Sequence, residues 1–156
     1  MAKKKKKAPD GVDAPRRSDT GELLGFSSRA FNDRTVRKIQ AAGHPAVRVS
    51  HLAVLRNMDQ GGTRITELAR RAGMTKQAMG QLVREFQELG YIVLRPDPTD
   101  RRAKLATYTE QGQSLAEAAE RSMDEVHAEF KEALGKGGLK ELRKLLARLS
   151  DRLRQT

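Results

Sequence analysis

Four side chains, Lys76, Gln77, Gln81 and Arg84, are of the types that hydrogen-bond the edges of DNA bases. A Gln amide bonds adenine in two places, and Lys or Arg bonds guanine. Just ahead of them stands Thr75, and a hydroxyl with the free backbone N–H groups of a helix start can hold a phosphate. A second group, Asp100, Arg101, Arg102 and Lys104, follows in the run PDPTDRRAK. Two adjacent Arg on a hairpin tip suit a narrow minor groove, where negative potential is concentrated. An acid such as Asp100 can hold one guanidinium in a fork-like pair.

Little else in the chain can do chemistry. The histidines are His44, His51 and His127. His44 and His51 are spaced so that they can share a helix face, which suggests a metal. With no Cys and no dense carboxylate cluster nearby, a zinc site is not expected. A satisfied or exposed histidine near a helix start is the expectation instead. Ser50 and Ser114 have no adjacent base, and there is no nucleophile elbow, phosphate loop or HExxH pattern. The reading is therefore of a protein that is not an enzyme and uses no cofactor or metal.

Composition agrees with a nucleic-acid partner. The formal net charge of +11 over 156 residues points to a polyanion. Aromatics are only 4% and Trp is absent, which argues against stacking platforms for single strands. No apolar run approaches the roughly 18–20 residues that span a bilayer. The expected location is the cytoplasm, on the nucleoid. Residues 1–20 hold five Lys, two Arg and three Asp, with Pro9 and Pro15 and almost nothing apolar. They cannot offset their ordering entropy by burial, so they read as a disordered basic arm. The arm either adds non-specific DNA affinity or only solubilises the chain. Its Lys run also suits an anionic membrane surface, but it lacks the apolar face of a stable anchor.

The elements that must position these residues follow from periodicity. Residues 21–42 read as a helix with Leu24, Phe31 and Ile39 on one face, ended by Gly43. A second helix is expected at about 45–58, with Pro45 in its first turn and Val49, Leu52, Ala53 and Met58 on a shared face. DQGGT, residues 59–63, reads as a turn. Two further helices follow. Thr66 is expected to cap the first, which buries Leu68, Ala69 and Ala72 and stops at Gly73. Thr75 caps the second, at about 75–89, which buries Ala78, Leu82, Phe86 and Leu89. Short helix, tight turn and longer helix make a helix-turn-helix. Gly80 costs about 1 kcal/mol relative to Ala in a helix interior. Either DNA or the preceding helix approaches closely there, or the position merely tolerates glycine.

YIVLR (91–95) and KLATYT (104–109) flank a turn-forming run and read as a hairpin with a charged tip, the wing at about 95–104. Thr109 then caps a long helix, about 110–134, with Leu115, Ala119, Val126, Phe130 and Leu134 inward. A last helix carries Leu139, Leu142, Leu146, Leu149 and Leu153, a heptad seam. That seam either covers its own core or pairs with a second chain, and pairing is the favoured use.

In this order and spacing, ELA at 67–69, LGY at 89–91, DPTDRRAK at 97–104 and TEQG at 109–112 resemble the MarR family of bacterial transcription regulators. The resemblance extends through the helical context to about residues 22–154. It implies a mainly α fold with a small β-wing: a winged helix-turn-helix lobe at about 45–109 between dimerisation helices at about 21–43 and 110–154. It implies homodimers on palindromic operators in double-stranded DNA, usually repressing. Leu24, Phe31 and the five seam leucines are then the candidate dimer contacts. Asp100 and Arg102 would order the wing tip and reach the minor groove. Many members also hold a small-molecule effector between the dimer helices and the DNA-binding lobe. The Cys of peroxide-sensing members is missing, and Gly80 stands where a hydroxyl or another small residue is more usual. The competing reading is an architectural DNA binder that uses net charge and the Lys arm without sequence preference.

Overall fold

The computed structural model describes residues 19–155, with the backbone alone at Arg101. The basic arm lies almost wholly outside the described residues. Six α-helices and a small sheet make up the described chain: α1 (Thr20–Ala41), α2 (Leu52–Leu55), α3 (Ile65–Ala72), α4 (Lys76–Glu88), α5 (Glu110–Leu134) and α6 (Gly138–Arg154). The strands are β1 (Thr63–Arg64), β2 (Ile92–Asp97) and β3 (Asp100–Tyr108), antiparallel in the order β1-β3-β2. This is a mainly α winged-helix architecture, as expected.

Three helices stop in the same way. After α4, Gly90 takes φ 77°, its N–H reaches Gln87 O at 3.0 Å, and Tyr91 N–H reaches Phe86 O at 2.8 Å. The same pair of bonds closes α3 at Gly73 and Met74, and α1 at Gly43 and His44. Glycine tolerates this left-handed turn because it has no Cβ to clash.

Four expectations about the elements are corrected. The helix expected at about 45–58 is only a 3₁₀ turn, Val49–His51, leading into the single turn of α2. Pro45 lies in a turn before it, and Val47 is fully buried from non-helical backbone. Arg48 is extended and starts the 3₁₀ turn, which leaves Val49 exposed. Asn57 ends α2 by donating from its side-chain amide to Ala53 O, 2.8 Å. Thr66 is not the cap of α3: the helix starts at Ile65, with Arg64 extended before it. The reason is β1, which the glycine-rich turn reading missed. Thr63 and Arg64 pair with Ala106 and Leu105, so sheet pairing sets where α3 begins. The wing strands are also longer than expected, and leave Pro98 and Thr99 as the turn. Pro96 sits within β2, an edge strand, where a missing N–H is tolerated. Finally, Leu134 is 45% exposed, because the last turn of α5 runs past the core.

The core is centred on Ile39, Val47, Val54, Leu68, Met79, Val83, Phe86 and Leu115, all fully buried. On α4 the buried side chains are Met79, Leu82, Val83 and Phe86. Of the expected set, Leu82 and Phe86 are buried, Ala78 and Leu89 are only half-buried, and Met79 and Val83 take their place in the core. α1 packs along α5. Lys38 Nζ bonds Glu125 at 2.7 Å and Glu129 at 3.1 Å, and Phe31 meets Phe130 edge-on, with ring centroids 5.5 Å apart. α6 buries nothing, and Leu146 (36%), Leu149 (45%) and Leu153 (68%) are exposed. Leu139 and Leu142 are half-buried, and Leu24 at the start of α1 is 39% exposed. The seam therefore does not cover its own core.

The tightest junction joins α4, the wing and α5. Thr109 N–H donates to Tyr91 O at 3.1 Å, and its hydroxyl donates to Gly90 O at 2.6 Å. The same hydroxyl accepts Gly112 N–H at 3.0 Å, the cap expected for α5. A Cβ on Gly112 would fall on the Tyr91 carbonyl, 2.9 Å from its carbon and closer still to its oxygen. Substituting Gly112→Ala should therefore cost about 2 kcal/mol or more in chemical denaturation, because the obstacle is backbone that cannot turn aside. A cost within about 0.5 kcal/mol would mean the junction opens freely.

Candidate nucleic-acid interface

Helix α4 begins at Thr75, whose hydroxyl oxygen accepts Ala78 N–H at 3.1 Å. This is the expected N-cap, and it leaves the hydroxyl proton for an outside acceptor. Lys76, Gln77, Gln81 and Arg84 are all exposed, while the opposite face packs into the core. The four predicted base readers therefore share the open side of one helix. Gly80, between them along the chain, is itself buried. A Cβ there would meet only Arg84 Nη1, at an ordinary 3.7 Å. The preceding helix therefore does not exclude a side chain at this position.

Helix α3 is held in place by ion pairs. Glu67 bonds Arg70 at 2.7 and 2.8 Å and Arg71 at 2.8 Å, and the hydrogen bond from Arg70, then that from Arg71, pulls its carboxyl down to about 2. Arg71 also bonds Asp59 Oδ1 and Asn57 O, both at 2.9 Å, which fastens α3 to the turn before β1.

The wing carries Asp100, Arg102 and Lys104 exposed on β3. The side chain of Arg101 lies outside the described residues. The expected fork between Asp100 and a wing guanidinium turns in part on the Arg101 side chain and so lies partly outside the described residues. Asp100 Oδ1 accepts the backbone N–H of Arg102, 3.1 Å, and so shapes the chain at the tip. The Arg that answers the wing acids comes from β1. Arg64 Nε donates to Asp97 Oδ2 at 2.6 Å, and its Nη2 to Thr99 Oγ1 at 3.3 Å. Its Nη1 lies 3.9 Å from Asp100 Oδ2. Asp97 is buried, and its other oxygen accepts Thr99 N–H at 2.8 Å and the Thr99 hydroxyl at 2.7 Å. Sequence reasoning missed Arg64 and Asp97 because Arg64 fell at the edge of a supposed loop. The pairing of β1 with β3 brings them together.

The histidines do not converge. His44 Nδ1 lies 3.2 Å from the Tyr91 hydroxyl, and His51 Nε2 lies 2.9 Å from Glu85 Oε2. The notion of a shared helix face fails, since His44 follows α1 in a turn and His51 ends the 3₁₀ turn. Among the described residues no group of three or more His, Asp or Glu side chains is placed to hold a metal ion. No helix is long and apolar enough to cross a membrane.

A cavity of about 300 Å³ opens between α1, the end of α2 and α5, lined by Ser28, Phe31, Asn32, Arg56, Met123 and His127. Arg56 Nη2 donates to Asn32 Oδ1 at 2.7 Å, and its guanidinium lies 5.7 Å from the centre of the Phe31 ring. Burial lowers the pKa of Arg56, and burial foremost lowers that of His127. The walls thus combine aromatic surface with a partly desolvated cation. Phe31, assigned from the sequence to a dimer contact, is part of this wall.

The family model described as MarR family matches residues 47–103. Among solved structures, CouR from Rhodococcus jostii RHA1 bound to p-coumaroyl-CoA is 26% identical, with a TM-score of 0.70 over 85% of this chain and 92% of that one. A MarR transcriptional regulator from Methanosarcina mazei Go1 is 16% identical, with a TM-score of 0.72 over 87% and 97%. The structure of MarR is 19% identical, with a TM-score of 0.71 over 92% and 97%. A search of curated proteins gave no significant match.

Two outcomes test this geometry. The bonds from Thr99, then Arg64, hold the Asp97 carboxyl down to about 2. A depressed carboxylate stabilises the fold above its unfolded value of about 3.9 and loses that contribution as pH falls through its folded value. The stability gap between wild type and Asp97→Asn should thus be constant above about pH 5 and shrink toward pH 2 in urea denaturation. A gap that did not change with pH would disconnect Asp97 from this tie. Gly80→Ala should stabilise the free protein by about 0.5–1 kcal/mol, since helix propensity improves and nothing in the chain is displaced. Destabilisation would reveal an internal contact at Gly80.

Proposed function

This chain carries a MarR-family winged helix-turn-helix domain, and on that premise we propose that it is a repressor that binds a palindromic operator as a homodimer. A DNA-binding transcription regulator of the MarR family is what the family match at residues 47–103 and the likeness to CouR support. The observation that carries the finer reading is α4. It is capped by Thr75, buried on one side, and presents Lys76, Gln77, Gln81 and Arg84 on the other. Such a helix reads base edges in the major groove with its N-terminal residues. The wing, with Asp100, Arg101, Arg102 and Lys104, anchors to the backbone and the minor groove beside it. On this reading a DNA-binding lobe at about 45–109 sits between dimerisation helices at about 21–43 and 110–154.

Dimerisation is supported by the uncovered leucines of α6. Leu139, Leu142, Leu146, Leu149 and Leu153 lie at heptad spacing, yet none is buried within the chain. An apolar seam of that kind is stabilised by a partner helix. Leu24 at the exposed start of α1 is the further contact on this reading. Release by a small molecule is supported by the cavity under α1 and α5, where Arg56 faces aromatic walls. A solved neighbour, CouR, is bound to p-coumaroyl-CoA. Such a cavity suits an anionic ligand with a planar apolar part.

The architectural reading is the alternative, favoured by the net charge of +11 and the Lys run at 3–7. Selection of bound duplexes from random DNA, at fixed salt, separates the two. The regulator reading expects two inverted half-sites about one helical turn, roughly 34–36 Å, apart. Uniform affinity for any duplex would overturn it and favour the architectural one. Leu146→Asp is expected to give a folded monomer by analytical ultracentrifugation, with operator affinity reduced at least about tenfold. A dimer that persists would move the interface away from α6.

A further inference from the structure

Glu85 lies on the flank of α4, one turn beyond Gln81 and at the edge of the open face. Its carboxylate is gripped from behind. His51 is fully buried, and its ring meets Phe86 edge-on, with centroids 4.9 Å apart. The backbone N–H of Arg48 points at His51 Nδ1, 3.2 Å away. An N–H only donates, so Nδ1 is the acceptor and the ring proton sits on Nε2. That proton is donated to Glu85 Oε2, 2.9 Å away. The Arg48 guanidinium reaches the same oxygen at 2.5 Å. One carboxylate oxygen is therefore engaged by two donors, the buried His51 ring and the exposed Arg48 guanidinium, and the other, Oε1, faces Gln81. Gln81 Nε2 lies 3.5 Å from it, at the outer limit of hydrogen bonding.

This contact favours one orientation of the Gln81 amide. A carboxylate only accepts, and the bond from His51 foremost keeps Glu85 ionised by holding its carboxyl below the usual range. The amide must therefore aim its NH₂ group, not its carbonyl, at Glu85. When the amide proton on the Cγ side serves that bond, the other proton lies beside the carbonyl oxygen. The carbonyl oxygen and the remaining proton, which point the same way, are left as an acceptor–donor pair. The adenine edge in the major groove offers the complement, the N6 donor beside the N7 acceptor. A flipped amide would set its carbonyl against N7 and repel it.

We propose that Glu85, anchored by His51 and Arg48, is a positioning residue that sets the Gln81 amide for reading adenine at one place in each half-site. The proposal rests on the reading of α4 as the helix that reads bases. Its test uses duplexes selected by the wild-type protein, with all four bases placed in turn at each half-site position and affinities measured at several salt concentrations. Gln81→Ala locates the position that Gln81 reads. There the wild type is expected to prefer adenine by about tenfold or more. Glu85→Gln, whose amide no longer dictates the orientation of its neighbour, should reduce that preference to within about threefold at the same position. Glu85→Asp keeps the charge but withdraws the oxygen, and should do the same. Neither should change preferences elsewhere or alter the salt slope. Melting followed by circular dichroism establishes that each variant is folded, and the two variants back each other if one is not. Adenine preference retained in both, or an affinity loss equal for all four bases, would overturn the positioning role while leaving α4 as the reading helix. A Gln81→Ala variant with unchanged preferences at every position would overturn both.

Discussion

The carbonyl of Tyr91 is where the three working parts of the molecule meet. It closes no helix and belongs to no ladder. It accepts the N–H of Thr109 and lies in the space left by the missing side chain of Gly112. Thr109 then bonds Gly90 on one side and Gly112 on the other. The end of α4, both wing strands and the start of the long helix α5 are thereby held at one point. A buried carbonyl without a partner is costly, so the contact is strongly specified. Any coupling between an event at α5 and the pose of α4 passes through this backbone or through the shared core around Phe86, Tyr91 and Leu115.

Away from that junction, the exposed working surfaces are stiffened by charge from behind. The wing turn is tied by Arg64 and Asp97, and α3 is fixed to the preceding turn by Arg71. The flank of α4 is braced through Glu85 by His51 and Arg48. None of these braces is among the residues assigned to touch DNA. On the proposed reading of the interface, such braces reduce the side-chain and loop entropy lost when a polyanion binds, which otherwise subtracts from affinity. The helices α1 and α6 offer the contrast. Their leucines have no such brace, and their exposed apolar area is the kind that a second chain covers.

Much of the fold was legible in local signals. Thr75 and Thr109 act as caps because a hydroxyl can accept an N–H three residues on, whatever lies around it. Gly43, Gly73 and Gly90 end helices because a left-handed residue is needed there and glycine alone adopts it without strain. The polar and apolar sides of α4 and α5 followed from the helical period. Errors came where a distant partner overrode the local preference. Val47 is pulled into the core from extended chain, which cuts short the helix expected around Pro45. Thr63 and Arg64 leave their turn to pair with β3, which displaces the cap expected at Thr66.

The candidate interface divides along the same line. By itself the sequence determined its chemistry: which side chains can bond a base or a phosphate, and that they share one helix face and one hairpin. Spacing alone suffices, because helical and strand periods are local properties of the backbone. Only the tertiary structure decided the partners. It added the Arg64–Asp97 tie behind the wing turn, and it separated His44 from His51. It also showed that no packing within the chain excludes a side chain at Gly80. Those pairings join residues far apart along the chain, across elements whose register depends on the whole core, and no local rule encodes them.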